Sequence, residues 1–301
     1  MKICPKGYPQ LWTNYDELMA VLHPLAGLER REDDELQTVL RGHVREVNER
    51  EPGVRLGADP EELHKQRVAA RRLRSLLRST RSQLEDPERA ERLRDELRWL
   101  GRLLGEVRDR DVLIAYLLDE LATIDEAAAF GGILELLDTE REEARKELLA
   151  ALDSRRYRAL LEELEDPPAL REGERLETVA EADYDRLRKA AKRLGKDSTD
   201  EELHRVRIKT KRARYAAEAL GGESKFVSRA KDVQDVLGEH QDAAVAEERI
   251  RELVAQVRGT GRTALAAGRL IERQRSRRAA AREAWPQAWK RLCRAGDDVW
   301  R

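Results

Sequence analysis

A histidine followed at helical steps by arginines and lysines, with no acid among them, is chemistry for gripping an anion. This sequence carries such a segment twice. Glu61-Glu62-Leu63-His64-Lys65-Gln66-Arg67-Val68-Ala69-Ala70-Arg71-Arg72-Leu73-Arg74 returns, 140 positions on, as Glu201-Glu202-Leu203-His204-Arg205-Val206-Arg207-Ile208-Lys209-Thr210-Lys211-Arg212-Ala213-Arg214. Guanidinium forks match the oxygens of phosphate through paired, charge-assisted hydrogen bonds. A histidine beside them adds a donor, and a bound phosphate favours its charged form.

The spacing sets the geometry. With His64 at the origin of a helical wheel, Arg67, Arg71, Arg74 and Arg78 fall within about 80 degrees of it, and Ala69, Ala70, Leu73, Leu76 and Leu77 lie opposite. His204, Arg207, Lys211 and Arg214 form the matching stripe, opposite Val206, Ala213, Ala217 and Leu220. Each helix is amphipathic, with an apolar face for a bundle core and a row of cations for something else. From His64 to Arg78 the row spans roughly 21 Å, which suits a linear polyanion better than a small metabolite.

Charged helix faces elsewhere in the chain look different. Glu140-Arg141-Glu142-Glu143-Ala144-Arg145-Lys146-Glu147 mixes signs at the spacing that pairs them in water. The motif helices lack acids, so they ask for an external anion or for carboxylates from neighbouring helices. Asp109 and Asp242 are candidates for such partners, and Arg98 and Lys231, at matching positions, for extensions of the cationic lining. Glu61-x-x-His64 and Glu201-x-x-His204 have the spacing of di-iron bundles, but those glutamates sit in the first helical turn, where capping and the helix dipole account for them. No nucleophile–base pair, phosphate loop or dinucleotide fingerprint stands out, so neither a catalytic residue, nor a metal, nor a cofactor is expected.

The elements that must hold these stripes are helices. Asp59 caps a helix that opens Pro60-Glu61-Glu62 and runs to about Leu84; Thr199 and Glu202 have capping-box spacing at the start of its counterpart, which Gly221-Gly222 ends. Other helices are expected over 33–50, 88–121 and 135–165, up to Leu194, to about Leu237, over 242–257, and from Thr260 until Pro286 kinks or ends it. Leu104-Gly105-Glu106-Val107-Arg108-Asp109 reappears as Leu237-Gly238-Glu239-His240-Gln241-Asp242, so two signatures recur in one order. The sequence predicts an all-α fold of two four-helix bundles, an internal duplication related by a pseudo-twofold, enclosing a basic central channel. Its expected organisation is an arm at 1–28, a first half at 29–166 and a second at 169–301, divided at Asp166-Pro167-Pro168.

Bulk charge names no partner: 59 Lys and Arg face 60 Asp and Glu in 301 residues. Distribution is more telling. Residues 63–81 hold seven cations and 203–214 hold six, without an acid, and setting these aside leaves 46 cations against 60 acids. An acidic body with two basic strips focuses an anion into one place while its exterior repels nucleic acid and anionic membrane. Cys4 and Cys293 are too few for a disulfide framework, and Met19–Leu28, broken by His23 and Pro24, makes a poor signal peptide. The expectation is a cytoplasmic protein that does not enter membranes.

The paired segments resemble the conserved histidine α-helical domain, or CHAD, over roughly residues 30–300. The likeness rests on His64-x-x-Arg67-Val68-x-x-Arg71-Arg72-x-Arg74, Leu104-Gly105-x-x-Arg108-Asp109 and His204-x-x-Arg207-Ile208-x-x-Lys211-Arg212-x-Arg214-Tyr215. It implies two bundles around a basic channel that binds inorganic polyphosphate, and association with polyphosphate granules, as for some members. Carried over, the lining comprises His64, Arg67, Arg71, Arg74, His204, Arg207, Lys211 and Arg214. Arg78 extends it by helical spacing, and its counterpart Glu218 makes the two walls unequal. No triphosphate-tunnel (CYTH) catalytic domain, to which some members are fused, fits in the first 30 residues, so a stand-alone binder rather than an enzyme is expected. The rival is a nucleic-acid or general polyanion binder; against it, the one aromatic near either stripe is Tyr215, whereas single strands recruit stacking aromatics. An acidic protein segment is a third ligand to consider. Oligomeric state is left open.

Overall fold

The computed structural model describes residues 33–300 apart from 126, 196, 222, 223 and 258. The arm at 1–28 lies outside the described residues. Those described form α-helices, with short 3-10 turns and no strand: α1 (Asp33–Leu56), α2 (Pro60–Thr80), α3 (Pro87–Leu121), α4 (Gly131–Leu152), α5 (Arg155–Glu165), α6 (Leu176–Ala191), α7 (Asp200–Ala219), α8 (Lys225–Gln256) and α9 (Gly261–Trp300). The all-α class read from the sequence is the observed one.

Both motif helices start where their caps are. The Asp59 carboxylate accepts from the backbone N–H of Glu61 at 2.8 Å, with Pro60 at the first position. Thr199 and Glu202 close a reciprocal capping box, at 3.3 and 2.9 Å. Such caps satisfy amides that would otherwise lack partners and contribute about 1 kcal/mol each.

Four helix boundaries depart from the sequence reading. Helix α1 continues through Pro52 to Leu56, and its last carbonyls are taken by the Arg145 guanidinium, which donates to Val54 and Arg55. That guanidinium lies over Gly57, at φ 70°, so a side chain there would be both strained and obstructed. Helix α8 runs unbroken through 237–242, and α9 passes Pro286 without ending. Buried Trp285 and Ala288 flank that proline, and tertiary packing of an apolar stripe outweighs one lost hydrogen bond. Conversely, the helical stretch expected over 135–165 breaks at Asp153–Ser154, where the Ser154 hydroxyl caps α5 by accepting from the Tyr157 amide.

Helix α2 packs between α1 and α3, and α7 between α6 and α8, so each motif helix is flanked on both sides of its apolar face. The first core gathers Leu36, Leu40, Leu73, Leu77, Leu97, Leu100 and Tyr157 among others; the second gathers Tyr184, Leu187, Val206, Phe226, Val233 and Leu292. A third cluster forms where the far ends of α3 and α4 (Leu117, Ile133, Leu137) meet those of α8 and α9 (Ile250, Leu253, Leu270). Each fully buried leucine contributes about 1.5–3 kcal/mol, and truncating one such as Leu73 would cost about 2–5 kcal/mol.

The segment after α5, where the sequence reading divides the chain, is tied to the rest of the fold. Pro167 and Pro168 are buried, and a bridge pairs Leu84 with Leu170, through Glu85 N–H to the Ala169 carbonyl (3.0 Å) and Arg171 N–H to the Gln83 carbonyl (2.8 Å). Leu176 and Val179 of α6, and Ala219 of α7, pack into the first core. Helix α6 therefore starts in one core and ends in the other, and α2 and α7 meet directly.

Candidate anion-binding site

The Leu-Gly-x-x-x-Asp signature is the seat of an arginine. Arg67 of α2 lies across Gly105 of α3, where an added Cβ would sit 3.3 Å from its Nη2, and Asp109, one turn on, takes Nη1 at 3.0 Å. A looser seat of the same kind lies between α7 and α8. Arg207 of α7 lies over Gly238 of α8, 3.7 Å from the corresponding Cβ position, with Asp242 at 4.0 Å. Asp109 and Asp242 are thus arginine partners, as expected. The glycine leaves a shallow saddle for the guanidinium stem and the aspartate fixes its head.

Between these seats, cations of α2 face cations of α7. Lys211 is pushed down to about 7 by burial and then by Arg207, Arg71 and Arg67, with Asp242 alone acting the other way. Arg207 is lowered from the usual arginine range by burial, and Arg71 and Arg67 act on it in the same sense. The Nε atoms of Arg71 and Arg207 and the Nδ1 of His204 are buried without a hydrogen-bond partner among the described residues. Buried polar groups rarely stay unpaired, so the Arg71 and Arg207 donors have capacity for an external acceptor.

The remaining stripe residues take distinct places. His64 is half-buried and lowered by burial, then by Arg108, with Arg71 and Arg67 adding to it and Glu61 opposing. Arg74 is lowered by burial and then by Arg98, Arg71, Arg94 and Arg78, which brings Arg98 of α3 beside the stripe although it also pairs with Asp95 at 2.8 Å. Arg214 pairs with Glu218 at 3.3 Å. Lys231 is exposed on α8 and joins no ion pair among the described residues. Arg78 is exposed and lies with Ser79, Arg81, Asp183, Arg186 and Arg212 around a cavity of about 430 Å³.

The first-turn glutamates are engaged elsewhere: Glu202 in the capping box, Glu62 with Arg50 at 3.3 Å and Glu201 with Arg205 at 3.4 Å. Among the described residues, no three His, Cys, Asp or Glu side chains come together as a metal site. Nor, among them, is any helix long and apolar enough to cross a membrane.

The family model described as the CHAD domain matches residues 38–251. The chain belongs to the CHAD domain family. Two uncharacterized proteins from strains of Mycobacterium tuberculosis are 32% identical to it over 249 residues, covering 77% of this chain and 48% of each relative. The chain thus spans about half the length of these curated relatives. Among solved structures, PptA from Streptomyces chartreusis superposes with a TM-score of 0.74 at 27% identity, over 86% of this chain and 99% of that one. The CHAD domain from the plant Ricinus communis gives 0.70 at 29% identity, over 86% and 91%.

Several cations of this CHAD domain were not singled out from sequence. Arg108 is the strongest charge acting on His64, and Arg94 acts on both Arg74 and Arg212, joining the stripe to the cavity. Arg72, Lys209 and Arg212 sit on the flank of each motif helix that the histidine-centred wheel leaves out. Arg72 and Arg212 are equivalent by the repeat offset and both arginine, which was the available signal. Which flank would face the other helix depends on how α2 crosses α7, and no single-helix pattern carries that.

Proposed function

We propose that this CHAD protein binds inorganic polyphosphate along the facing stripes of α2 and α7, as a stand-alone binder rather than an enzyme. The observation that carries the reading is the encounter of Arg67 and Arg71 with Arg207 and Lys211, where the buried Nε donors of Arg71 and Arg207 have no hydrogen-bond partner among the described residues. Like charges held together at low dielectric are costly unless an anion joins them. A phosphate chain offers one negative group after another, at a repeat short enough to meet successive turns of both helices. In binding, its oxygens replace its counterions with these cations, so affinity falls with salt. His64, Arg74 and Arg98 on one side and His204 and Arg214 on the other extend the contact. We further propose a cytoplasmic setting, with polyphosphate granules as its destination.

Nucleic acid is the weaker reading on a specific observation. Tyr215, the aromatic nearest either stripe, is buried at 4% exposure, and Arg72 and Arg214 lie 5.7 and 5.1 Å from its ring centre. It is covered by cations and offers no platform on which a base could stack. Calorimetric titration of phosphate-stripped protein with long-chain polyphosphate, alongside single-stranded RNA at equal phosphate concentration, tests the proposal. Saturable binding of the first with weak binding of the second supports it; equal binding makes this a general polyanion site, and no binding to polyphosphate ends the proposal.

A further inference from the structure

The two ends of the cationic groove differ most sharply at one pair of equivalent positions. By the 140-residue offset Arg72 corresponds to Arg212 and Arg78 to Glu218. At one end Arg72 meets Glu218 at 3.5 Å, and Glu218 also holds Arg214 at 3.3 Å, so one carboxylate there offsets half the charge of two arginines. At the other end the reciprocal pair is Arg212 with Arg78. Two cations face each other where symmetry would have placed a salt bridge.

Their neighbourhood deepens the imbalance. Arg212 is lowered by burial and then by Arg78, with Arg186 and Arg94 acting in the same sense and Asp183 against them. Lys209 is lowered by burial and then by Arg212, Arg186 and Arg78, again with Asp183 opposing. Asp183 is already engaged: it pairs with Arg186 at 2.8 Å and accepts the Ser79 hydroxyl. Glu91 is shared between Arg81 and Arg94. Four arginines, at 78, 81, 186 and 212, and a single carboxylate, Asp183, thus line a cavity of about 430 Å³ open to solvent through exposed Arg78 and Arg81. Arg94 and Arg74 connect that cavity to the stripe, since each feels charges on both sides.

Resting on the polyphosphate reading, we propose that the Arg78–Arg212 cavity is a binding site for the terminal phosphate of a linear polyphosphate, so that the chain lies in the groove in one direction. An internal phosphate carries a single negative charge. A terminal one has a second ionisable oxygen and approaches two charges near neutrality. The end with the most unneutralised cations therefore selects the terminus, and the Glu218-capped end takes the polymer's interior.

Linear tripolyphosphate and cyclic trimetaphosphate separate the cases, because the ring has no terminus. Their calorimetric affinities are compared for the wild type, R78E, R78Q and R71A/K211A, with helicity checked by circular dichroism. R78E gives Arg212 the partner that Arg72 already has, and R78Q removes the charge alone. The wild type is expected to prefer the linear anion, and R78E and R78Q to lose about tenfold of that preference, the worth of one charge-assisted hydrogen bond. R71A/K211A should keep the preference while losing affinity for long-chain polyphosphate. An unchanged linear-to-cyclic ratio in both Arg78 variants overturns the terminal site and leaves the groove reading standing. No binding of long-chain polyphosphate by the wild type overturns both.

Discussion

Arg67 rests on Gly105, its Nη2 3.3 Å from where a β-carbon would be, whereas Arg207 clears the equivalent point at Gly238 by 3.7 Å. The first contact is tighter than side chains usually accept and the second is ordinary. The two glycines are thus not equally required.

Alanine at each position separates these roles. G238A should stabilise the fold by roughly 0.5–1 kcal/mol, the usual gain from replacing glycine inside a helix, with polyphosphate affinity unchanged. G105A should gain less and weaken binding several-fold, because the Arg67 head must move off its Asp109 seat. Thermal denaturation with parallel titrations reads both. Equal behaviour of the two variants would count against a positioning role for Gly105.

Lys211 makes binding pH-dependent. Its folded value of about 7 lies below the roughly 10.4 of an exposed lysine. Between those values the unfolded chain holds a proton that the free native protein has released, so native stability rises with pH there and is flat below about 7. Polyphosphate recruits the charged form, so affinity should fall as pH climbs above 7 and complex formation at pH 8 should take up about one proton. Calorimetry in buffers of different ionisation enthalpy measures that uptake. It should vanish in K211R, where the charge no longer titrates.

Removing the facing cations should cost binding and not the fold. In R71A/K211A the free protein is expected to melt at an equal or higher temperature, since a like-charge encounter is gone. Affinity for long-chain polyphosphate should drop by at least about tenfold, and the slope of log K against log salt should shrink by roughly 1.4, as for two lost contacts to a single strand. A lower melting temperature together with unchanged affinity would place the binding elsewhere.

Glu218 competes with the ligand for Arg72 and Arg214. E218Q releases both, so polyphosphate affinity should rise several-fold at low salt, while the free protein loses up to about 1 kcal/mol from the partly exposed pairs. Competition titrations at two ionic strengths measure it. A fall in affinity would mean that Glu218 positions these arginines for the ligand.

Much of this was readable before any coordinates, and for identifiable reasons. Asp59 and Thr199 announce their helices because capping is local, and the stripes follow from a 3.6-residue period. The mismatch of Arg78 with Glu218 was also visible, but only the crossing of α2 and α7 shows that it sets Arg212 against Arg78. The sequence reading ends one helix near Leu237 and starts another at Asp242, whereas α8 is continuous there and Arg207 lies over its Gly238. Pro52 and Pro286 misled similarly: proline penalties are local, and here Arg145 and a buried tryptophan answer them from elsewhere in the chain.

Helices α1–α5 and α6–α9 are held together by the apolar cluster of Leu117, Ile133, Ile250 and Leu270 and by the packing of Leu176, Val179 and Ala219 into the first core. Prising α2 from α7 would expose leucines at both. The distance between the cation rows is therefore a fixed gauge, set by apolar packing rather than by whatever lies between.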